Sequence, residues 1–189
     1  MKSYHHGDLR AALLAAAVDL IREAGAESLS LREVARRSGV SQTAPYRHFR
    51  DKEDLTAGIA EEGFTILGDE MRKAAGGDGA PRERLMRGGR AYVAFALKRP
   101  EHFKVMFATD LDAKRHPAAR TAADNAFAGL LALVTAAFPK RAPLTLARMA
   151  WSQVHGIATL AIGKQFRFRT QAEVLAFAEE AMQALARGM

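Results

Sequence analysis

Hydrophobic residues recur along this chain with the period of an α-helix, and short breaker sequences divide it into segments. The first segment has Asp8 as its predicted N-terminal cap and ends at Gly25. Its apolar stripe consists of Leu9, Leu13, Ala16, Ala17, Leu20 and Ile21. A short second segment begins at Ser30, which is spaced to form a capping box with Glu33, and closes at Gly39. Both segments are therefore predicted to be helices.

Further breakers place the remaining helices. Asp51 can cap a long helix of about residues 52–75, which ends in the sequence GGDGAP. Proline suits the first turn of a helix because its missing N–H has no partner there anyway. The prolines that open later predicted helices are Pro81, Pro100, Pro117 and Pro143. A last predicted helix, residues 170–187, closes the chain, and no segment has the pattern of a strand.

These segments predict an all-α fold of about nine helices in two units. Residues 1–52 are expected to form an N-terminal three-helix unit. Residues 53–189 are expected to form a C-terminal helical unit, and the long helix of about 52–75 connects the two. The composition agrees, because Ala, Leu and Arg dominate while β-branched and aromatic residues are few.

Net charge points only weakly to nucleic acid. The formal charge is +7, but residues 1–50 carry +3 and residues 51–75 carry −4, whereas residues 76–189 carry +8. Most of the basic excess therefore lies outside the segment with a DNA-binding pattern. The case for DNA must come from a motif and not from charge.

Membrane, secretory, metal and enzyme functions find little support in the sequence. The longest apolar run, Ala126–Phe138, has 13 residues, which is short of the roughly 20 that a membrane span needs. The first residues lack the apolar stretch of a signal peptide, so we predict a cytoplasmic protein without a membrane partner. Cysteine is absent, and no HExxH spacing, glycine-rich phosphate loop or GxSxG elbow occurs. We expect His5 and His6 to hold no metal, and we predict no catalytic residue, cofactor or enzymatic activity.

Residues 38–52, SGVSQTAPYRHFRDK, have the pattern of the turn and second helix of a helix-turn-helix. Ala35 falls at the position that must be small so that the two helices can pack closely. Gly39 falls at the turn, where the backbone needs a positive φ. The spacing therefore predicts a second, DNA-reading helix after Gly39.

Pro45 lies inside this predicted helix, at the position that normally turns an apolar residue inward. With Ser41 as the N-terminal cap, Pro45 is close to the first turn, where few backbone donors are lost. We therefore expect a short helix of residues 42–48 with Pro45 on its buried side. Ala44 is expected to be pushed toward extended geometry, because it precedes a proline.

The opposite side of this helix is chemically suited to DNA. Gln42 can pair with adenine, and Arg47 can reach guanine or phosphate. The candidate DNA-binding residues are Ser30, Gln42, Thr43, Ala44, Tyr46, Arg47, His48 and Lys52. A helical hairpin with a solvated polar face would show the same pattern, so the residues alone leave both interpretations open.

A close resemblance to the DNA-binding signature of TetR-family transcriptional regulators lies in residues 31–55, LREVARRSGVSQTAPYRHFRDKEDL. The residues that match the signature are Tyr46, His48, Phe49, Lys52 and Leu55. The resemblance covers residues 4 to about 60, and Pro45 departs from it, since most TetR-like sequences carry leucine there. Further along, AYVAFALKRPEHFKVMFA and WSQVHGIATLAIG resemble a C-terminal domain named for its Trp, His and Gly. Here these residues are Trp151, His155 and Gly156.

The resemblance implies a DNA-binding domain in residues 1–52 and a helical ligand-binding and dimerisation domain in residues 53–189. It further implies a homodimer that binds a palindromic operator on double-stranded DNA, represses transcription and is released by a small ligand. The last two helices would form the dimer, and alanines there could allow close approach: Ala147, Ala150, Ala158, Ala161, Ala178 and Ala181. These alanines could instead fill the core of one chain. Constitutive DNA binding without an inducer, or a helical small-molecule carrier, are the alternative functions.

The candidate ligand-pocket residues are large and mostly apolar, and the same residue types ordinarily form a core. They are Phe64, Leu67, Met71, Phe95, Phe103, Met106, Phe107, Phe127, Leu131, Trp151 and His155. His155 follows Trp151 by one turn, and a neighbour is expected to satisfy it. Two basic clusters are either solvated surface or guards of a pocket that takes an anionic or amphipathic ligand. They consist of Arg82, Arg84, Arg87 and Arg90, and of Lys164, Arg167 and Arg169.

Overall fold

The computed structural model describes residues 6–108 and 112–188, with side chains from Leu9 onward. Within these ranges the chain forms eight α-helices, two 3-10 turns and no strand, which confirms the all-α prediction. The helices are α1 (His6–Ala24), α2 (Leu31–Arg37), α3 (Lys52–Ala75), α4 (Pro81–Lys98), α5 (Pro100–Ala108), α6 (Pro117–Ala137), α7 (Pro143–Ile162) and α8 (Gln171–Gly188). The 3-10 turns are Ala26–Ser28 and Pro45–Arg47. The expected ninth helix is this second turn. The side chains of His5 and His6 lie outside the described part of the chain, so their expected lack of a metal stays a prediction.

Helix ends follow local chemistry closely. Ser30 caps α2 by accepting a hydrogen bond from the Glu33 N–H at 3.2 Å, and Asp51 caps α3 by accepting from the Asp54 N–H at 2.9 Å. Glu33 does not complete the predicted capping box, because its carboxylate accepts from two arginines instead. The prediction for Asp8 was wrong, since α1 begins at His6 and Asp8 lies inside it. Each of the four later prolines is the first residue of its helix, as predicted.

The central element is α3, which packs against α1 on one side and against α4, α5 and α6 on the other. Its Leu55 and Ile59 are fully buried. Gly58 permits a close approach to the N-terminal helices, because a Cβ there would lie 2.9 Å from Cε1 of Phe49. No helix in the described ranges is long and apolar enough to span a bilayer.

The C-terminal helices form a core around α4, which packs against α6, α7 and α8. Ala147, Ala158 and Ala178 are fully buried inside the single chain. Ala150, Ala161 and Ala181 are partly buried against the same core. The three fully buried alanines therefore fill the core of one chain, whereas the three partly buried ones keep a side in solvent.

Candidate nucleic-acid interface and ligand cavity

The recognition segment, residues 41–49, is a compact turn held by two buried side chains. Pro45 is fully buried and Phe49 is 3% exposed, while the turn packs against α2. The Phe49 N–H bonds to the Pro45 carbonyl at 2.9 Å, and the Arg47 N–H bonds to the Ala44 carbonyl at 3.2 Å. Pro45 thus lies on the inward side, as predicted.

The segment differs from the prediction in two respects. Only Pro45–Arg47 is helical, as a 3-10 turn, whereas a helix of residues 42–48 was expected. Pro45 has no N–H to bond the Ser41 carbonyl, which accepts instead from the Ala44 N–H at 3.0 Å, so the helical ladder stays short. The expectation for Ala44 was wrong, because its φ of −60° and ψ of −43° are helical.

Five polar side chains of the segment face solvent: Ser41, Gln42, Thr43, Tyr46 and Arg47. Tyr46 is 51% exposed, although it is aromatic. Among the described residues, neither Tyr46 nor Arg47 nor Gln42 has a side-chain hydrogen bond or ion pair, whereas the Thr43 hydroxyl pairs with that of Ser41 at 3.2 Å. Their polar groups are therefore available to a partner.

The other candidate DNA-binding residues are less exposed or already engaged. Ala44 and His48 are half-buried. The Ser30 hydroxyl caps α2. The Lys52 ammonium donates to the carbonyls of Ala26 and Glu27 at 3.2 and 3.4 Å, so it bridges α3 and the first 3-10 turn. An ammonium has three donors, and one of them remains for an anion.

Most arginines near the recognition segment are paired within the chain. Arg36 and Arg37 hold Glu33, and the hydrogen bond from Arg36 is the main cause that lowers the Glu33 pKa to about 2. Arg50 likewise binds Asp54 and lowers its pKa to about 2. Arg47 is unpaired, as is the exposed Arg32 in the first turn of α2, among the residues that the structure describes. Sequence reasoning missed Arg32, although its place in the first turn beside the motif could have indicated it.

A cavity of about 280 Å³, here called the central cavity, lies between α3, α4, α5, α6 and α7. Six of the candidate pocket residues line it: Phe64, Leu67, Met71, Phe107, Phe127 and Trp151. Six residues outside the candidate pocket set also line it: Tyr92, Arg120, Ala123, Asp124, Ala126 and Leu130. The other candidates do not: Phe95, Phe103 and Met106 are buried core, Leu131 packs beside it, and His155 lies behind Tyr92. Helical spacing alone cannot distinguish a residue that lines a cavity from one that belongs to the packed core.

A hydrogen-bonded cluster of the buried Tyr92 with the partly exposed Trp151 and His155 supports one wall of the central cavity. The Tyr92 hydroxyl lies 2.9 Å from Nδ1 of His155, and Nε1 of Trp151 donates to the Tyr92 oxygen at 3.2 Å. Burial lowers the pKa of His155 and raises the pKa of Tyr92. A neutral His155 that accepts a hydrogen bond from the Tyr92 hydroxyl satisfies both groups. A neighbour thus satisfies His155, as the sequence led us to expect.

The charged groups on the wall of the central cavity are Arg120 and Asp124, which bond to each other at 3.0 Å and are both mostly exposed. The arginines proposed from sequence as guards do not line this cavity. Arg84 and Arg87 donate to carbonyls at the C-terminal end of α3, and Arg90 pairs with Glu179. These arginines cap α3 and tie α4 to α8. Lys164, Arg167 and Arg169 are exposed after α7.

A cluster of polar and charged side chains joins the segment before α6 to the first turn of α3. Arg115 donates to the carboxylates of Asp51 and Glu53. His116 is buried, and its Nε2 lies 3.0 Å from Glu53 while its Nδ1 lies 3.4 Å from Asp54. We call these five residues the α6–α3 junction. It connects the helix that walls the central cavity with the helix that follows the recognition segment.

The outer side of α7 and α8 leaves large apolar side chains in solvent. Leu144 and Met149 are each 44% exposed, Leu160 is 41% exposed, and Phe177 is 36% exposed. Phe177 packs against Phe166 and Phe168 of the preceding loop. Such a face is unusual for a helix that meets only water.

Two family models match the chain. The one described as "Bacterial regulatory proteins, tetR family" matches residues 13–59. The one described as "Tetracyclin repressor-like, C-terminal domain" matches residues 85–185, which is more than half of the chain. Together they cover the recognition segment and most of the wall of the central cavity.

Solved structures with the same fold cover nearly the whole chain. A protein of unknown function from Rhodococcus sp. RHA1 has 32% sequence identity and a TM-score of 0.84, over 100% of this chain and 99% of that one. The TetR family transcriptional regulator PfmR from Thermus thermophilus has 21% identity and a TM-score of 0.72, over 94% and 98%. The transcriptional regulator FadR from Bacillus subtilis, in complex with stearoyl-CoA, has 15% identity and a TM-score of 0.78, over 95% and 98%. The last two likenesses concern the fold alone.

Proposed function

Because the chain belongs to the TetR family of bacterial regulatory proteins, we propose that it is a cytoplasmic transcriptional repressor that binds a palindromic operator as a homodimer and is released by a small ligand. It acts by binding and not by catalysis. Residues 1–52 serve DNA, and residues 53–189 serve the ligand and the dimer. We assign the second unit to the type named for its Trp, His and Gly, on Trp151, His155 and Gly156.

The observation that carries the proposal is the exposed and unpaired set Gln42, Tyr46 and Arg47, which stands on the buried Pro45. A fixed backbone presents these side chains without internal partners, so binding to DNA breaks no internal bond. Gln42 and Arg47 read base edges, and Tyr46 positions the turn on phosphate. Lys52 and the other candidate residues add contacts to the DNA backbone around Gln42, Tyr46 and Arg47.

Dimerisation supplies the second half of the DNA contact. One recognition segment contacts few base pairs. A two-fold symmetric dimer places two such segments in neighbouring major grooves. The exposed Leu144, Met149, Leu160 and Phe177 support α7 and α8 as the dimer face, because pairing removes this apolar surface from water. The operator is therefore an inverted repeat.

The central cavity supports a ligand with an apolar body, since five aromatic side chains line it and its charged groups, Arg120 and Asp124, lie one turn apart on α6. An anionic or amphipathic ligand can place its head against Arg120 by competing with Asp124. The α6–α3 junction supports the release step, because a ligand that moves α6 also moves the first turn of α3. The stearoyl-CoA of FadR is far larger than a cavity of about 280 Å³, so we propose a smaller ligand here.

Selection of bound sequences from a random DNA pool tests the DNA function. We expect an inverted repeat that the protein binds with a salt-dependent affinity. Arg47→Ala should lower the affinity at least tenfold, whereas Arg36→Ala, a matched loss of an arginine that Glu33 already pairs, should have a smaller effect. Failure to enrich any sequence would refute the proposal.

A thermal-shift panel of matched organic acids, amines and neutral analogues tests the ligand function. A ligand that raises the melting temperature should also release the selected operator. Stabilisation by amines and not by acids would exclude the anionic ligand and make Asp124 the residue to mutate. A ligand that stabilises the protein without release would favour constitutive DNA binding.

A further inference from the structure

Three separate cavities in the C-terminal unit meet at one side chain. Met71 lines the central cavity of about 280 Å³. It also lines a second cavity of about 270 Å³ between α3, α4 and α6, which we call the side cavity, and a third of about 30 Å³ toward α7 and α8. Ala126 separates the central cavity from the side cavity together with Met71. Tyr92 and Leu130 separate it from the third.

The residues of this partition differ in their freedom to move. Ala126 has no rotatable side chain, and Tyr92 is fixed by its bonds to Trp151 and His155. Met71 is 5% exposed and held by packing alone. Its side chain is unbranched with three rotatable bonds, so it can change shape at low cost. Met71 is therefore the movable part of the wall between the central and side cavities.

Volume indicates which ligands fit on either side of this partition. A cavity of roughly 150 Å³ holds a molecule the size of benzene. The central cavity alone therefore accepts one or two rings, or an alkyl chain of similar bulk. The side cavity has nearly the same volume, so joining the two roughly doubles the space on the far side of Met71 and Ala126.

Building on the ligand-responsive function above, we propose that Met71 determines the ligand class by setting its length. With Met71 in place, the site selects compact apolar ligands and rejects long chains. Removal of the Met71 side chain opens the side cavity, and the site then accepts a longer chain with the same head. Leu67, which lines only the central cavity of the three, has no such effect.

The test uses straight-chain primary alcohols from butanol to dodecanol as probes, with affinity measured by titration on the DNA-free protein. We expect the wild type to bind an intermediate chain best and dodecanol weakly. Met71→Ala should move the optimum to a longer chain and bind dodecanol at least tenfold more tightly. Met71→Leu, which keeps the side-chain bulk, should retain the wild-type profile. Leu67→Ala widens the central cavity by a similar amount and should bind bulkier rings without preferring longer chains.

Met71→Val provides a smaller opening if Met71→Ala does not fold, and should shift the optimum in the same direction. The proposal is overturned if affinity depends on alcohol chain length in the same way for Met71→Ala and Leu67→Ala. It is also overturned if wild type binds dodecanol as tightly as Met71→Ala does, or if no alcohol binds. Because DNA is absent, a failure to select an operator bears only on the proposed function. A changed length profile in a protein that binds no DNA would still support the role of Met71.

Discussion

Nε2 of the buried His116 lies 3.0 Å from a carboxylate oxygen of Glu53, so the residue before α6 rests on the first turn of α3. Arg115 adds bonds to Glu53 and Asp51. The backbone N–H of Asp54 and then Arg115 hold the pKa of Asp51 below its ordinary value. This contact ties the start of α3, which follows the recognition segment, to the start of α6, which lines the central cavity.

Loss of Arg115 tests the strength of the α6–α3 junction. Arg115→Ala leaves two carboxylates in the first turn of α3 without their cation, although the helix N-terminus still favours them. We expect the free energy of unfolding to fall by about 1 kcal/mol, near the upper end for partly exposed ion pairs. Denaturant titration measures it. Arg120→Ala, which removes an arginine from the exposed pair with Asp124 in the same region, is the matched control and should leave stability nearly unchanged.

Gly58 is predicted to be essential for the close packing of α3 against Phe49 of the recognition segment. A Cβ at Gly58 would lie 2.9 Å from Cε1 of Phe49 and 3.1 Å from Cδ2 of Leu14, both in the packed core. Gly58→Ala should therefore destabilise the protein by about 1–3 kcal/mol and weaken operator binding by displacing Phe49.

Gly129→Ala is the matched control for Gly58→Ala. Gly129 also lies inside a helix, but a Cβ there meets nothing within 4 Å. Alanine should raise stability by roughly 0.5–1 kcal/mol because it has the higher helix propensity. Equal melting temperatures for the two variants would contradict the close packing of α3 against Phe49.

The sequence predicts well those features that depend on residues close together along the chain, such as helix caps and helix starts. The caps at Ser30 and Asp51 each depend on a backbone N–H three residues away. The prolines that open α4, α5, α6 and α7 act through their own missing donor. The inward side of Pro45 follows from helical periodicity, and the exposed side of the recognition segment follows with it.

The sequence fails where a partner lies far along the chain. Tyr92 meets His155 across 63 positions, and His116 meets Glu53 across another 63, so no local pattern pairs them. Phe95 and Phe107 are the same residue type in predicted helices, but Phe95 belongs to the core and Phe107 lines the central cavity. The difference depends on how their helices pack against distant parts of the chain, which periodicity does not encode. In the recognition segment a local effect decides the structure against the pattern. The sequence has a good helical pattern there, but Pro45 lacks the N–H that a longer helix would need, so only a 3-10 turn forms.

Lys52 is predicted to contact phosphate while it bridges two carbonyls. Two of its donors reach Ala26 and Glu27, and the third is free for DNA. Lys52→Ala should weaken binding to all sequences alike and make the slope of log affinity against log salt shallower by about one. Replacing Gln42 should instead change base preference at a defined operator position. An unchanged salt slope for Lys52→Ala would show that its ammonium serves the protein alone.

Acid should destabilise the protein through His155. Burial lowers its pKa below the ordinary value of 6.5, so the unfolded chain takes up a proton in a pH range where the folded chain resists it. The unfolded state then binds more protons, and the free energy of unfolding falls as the pH falls through this range. Its partners give no compensating charge, because Tyr92 and the neighbouring Phe103 and Phe107 are neutral.

The measurement is denaturant unfolding of wild type and His155→Gln between about pH 7.5 and about pH 5.5, above the range where carboxylates titrate. His155→Gln should be less stable at the upper pH by about 1 kcal/mol, because the bond to Tyr92 is weakened, and it should lose less stability on acidification. Equal losses in the two proteins would mean that the imidazole is solvated enough to take its proton in the folded state.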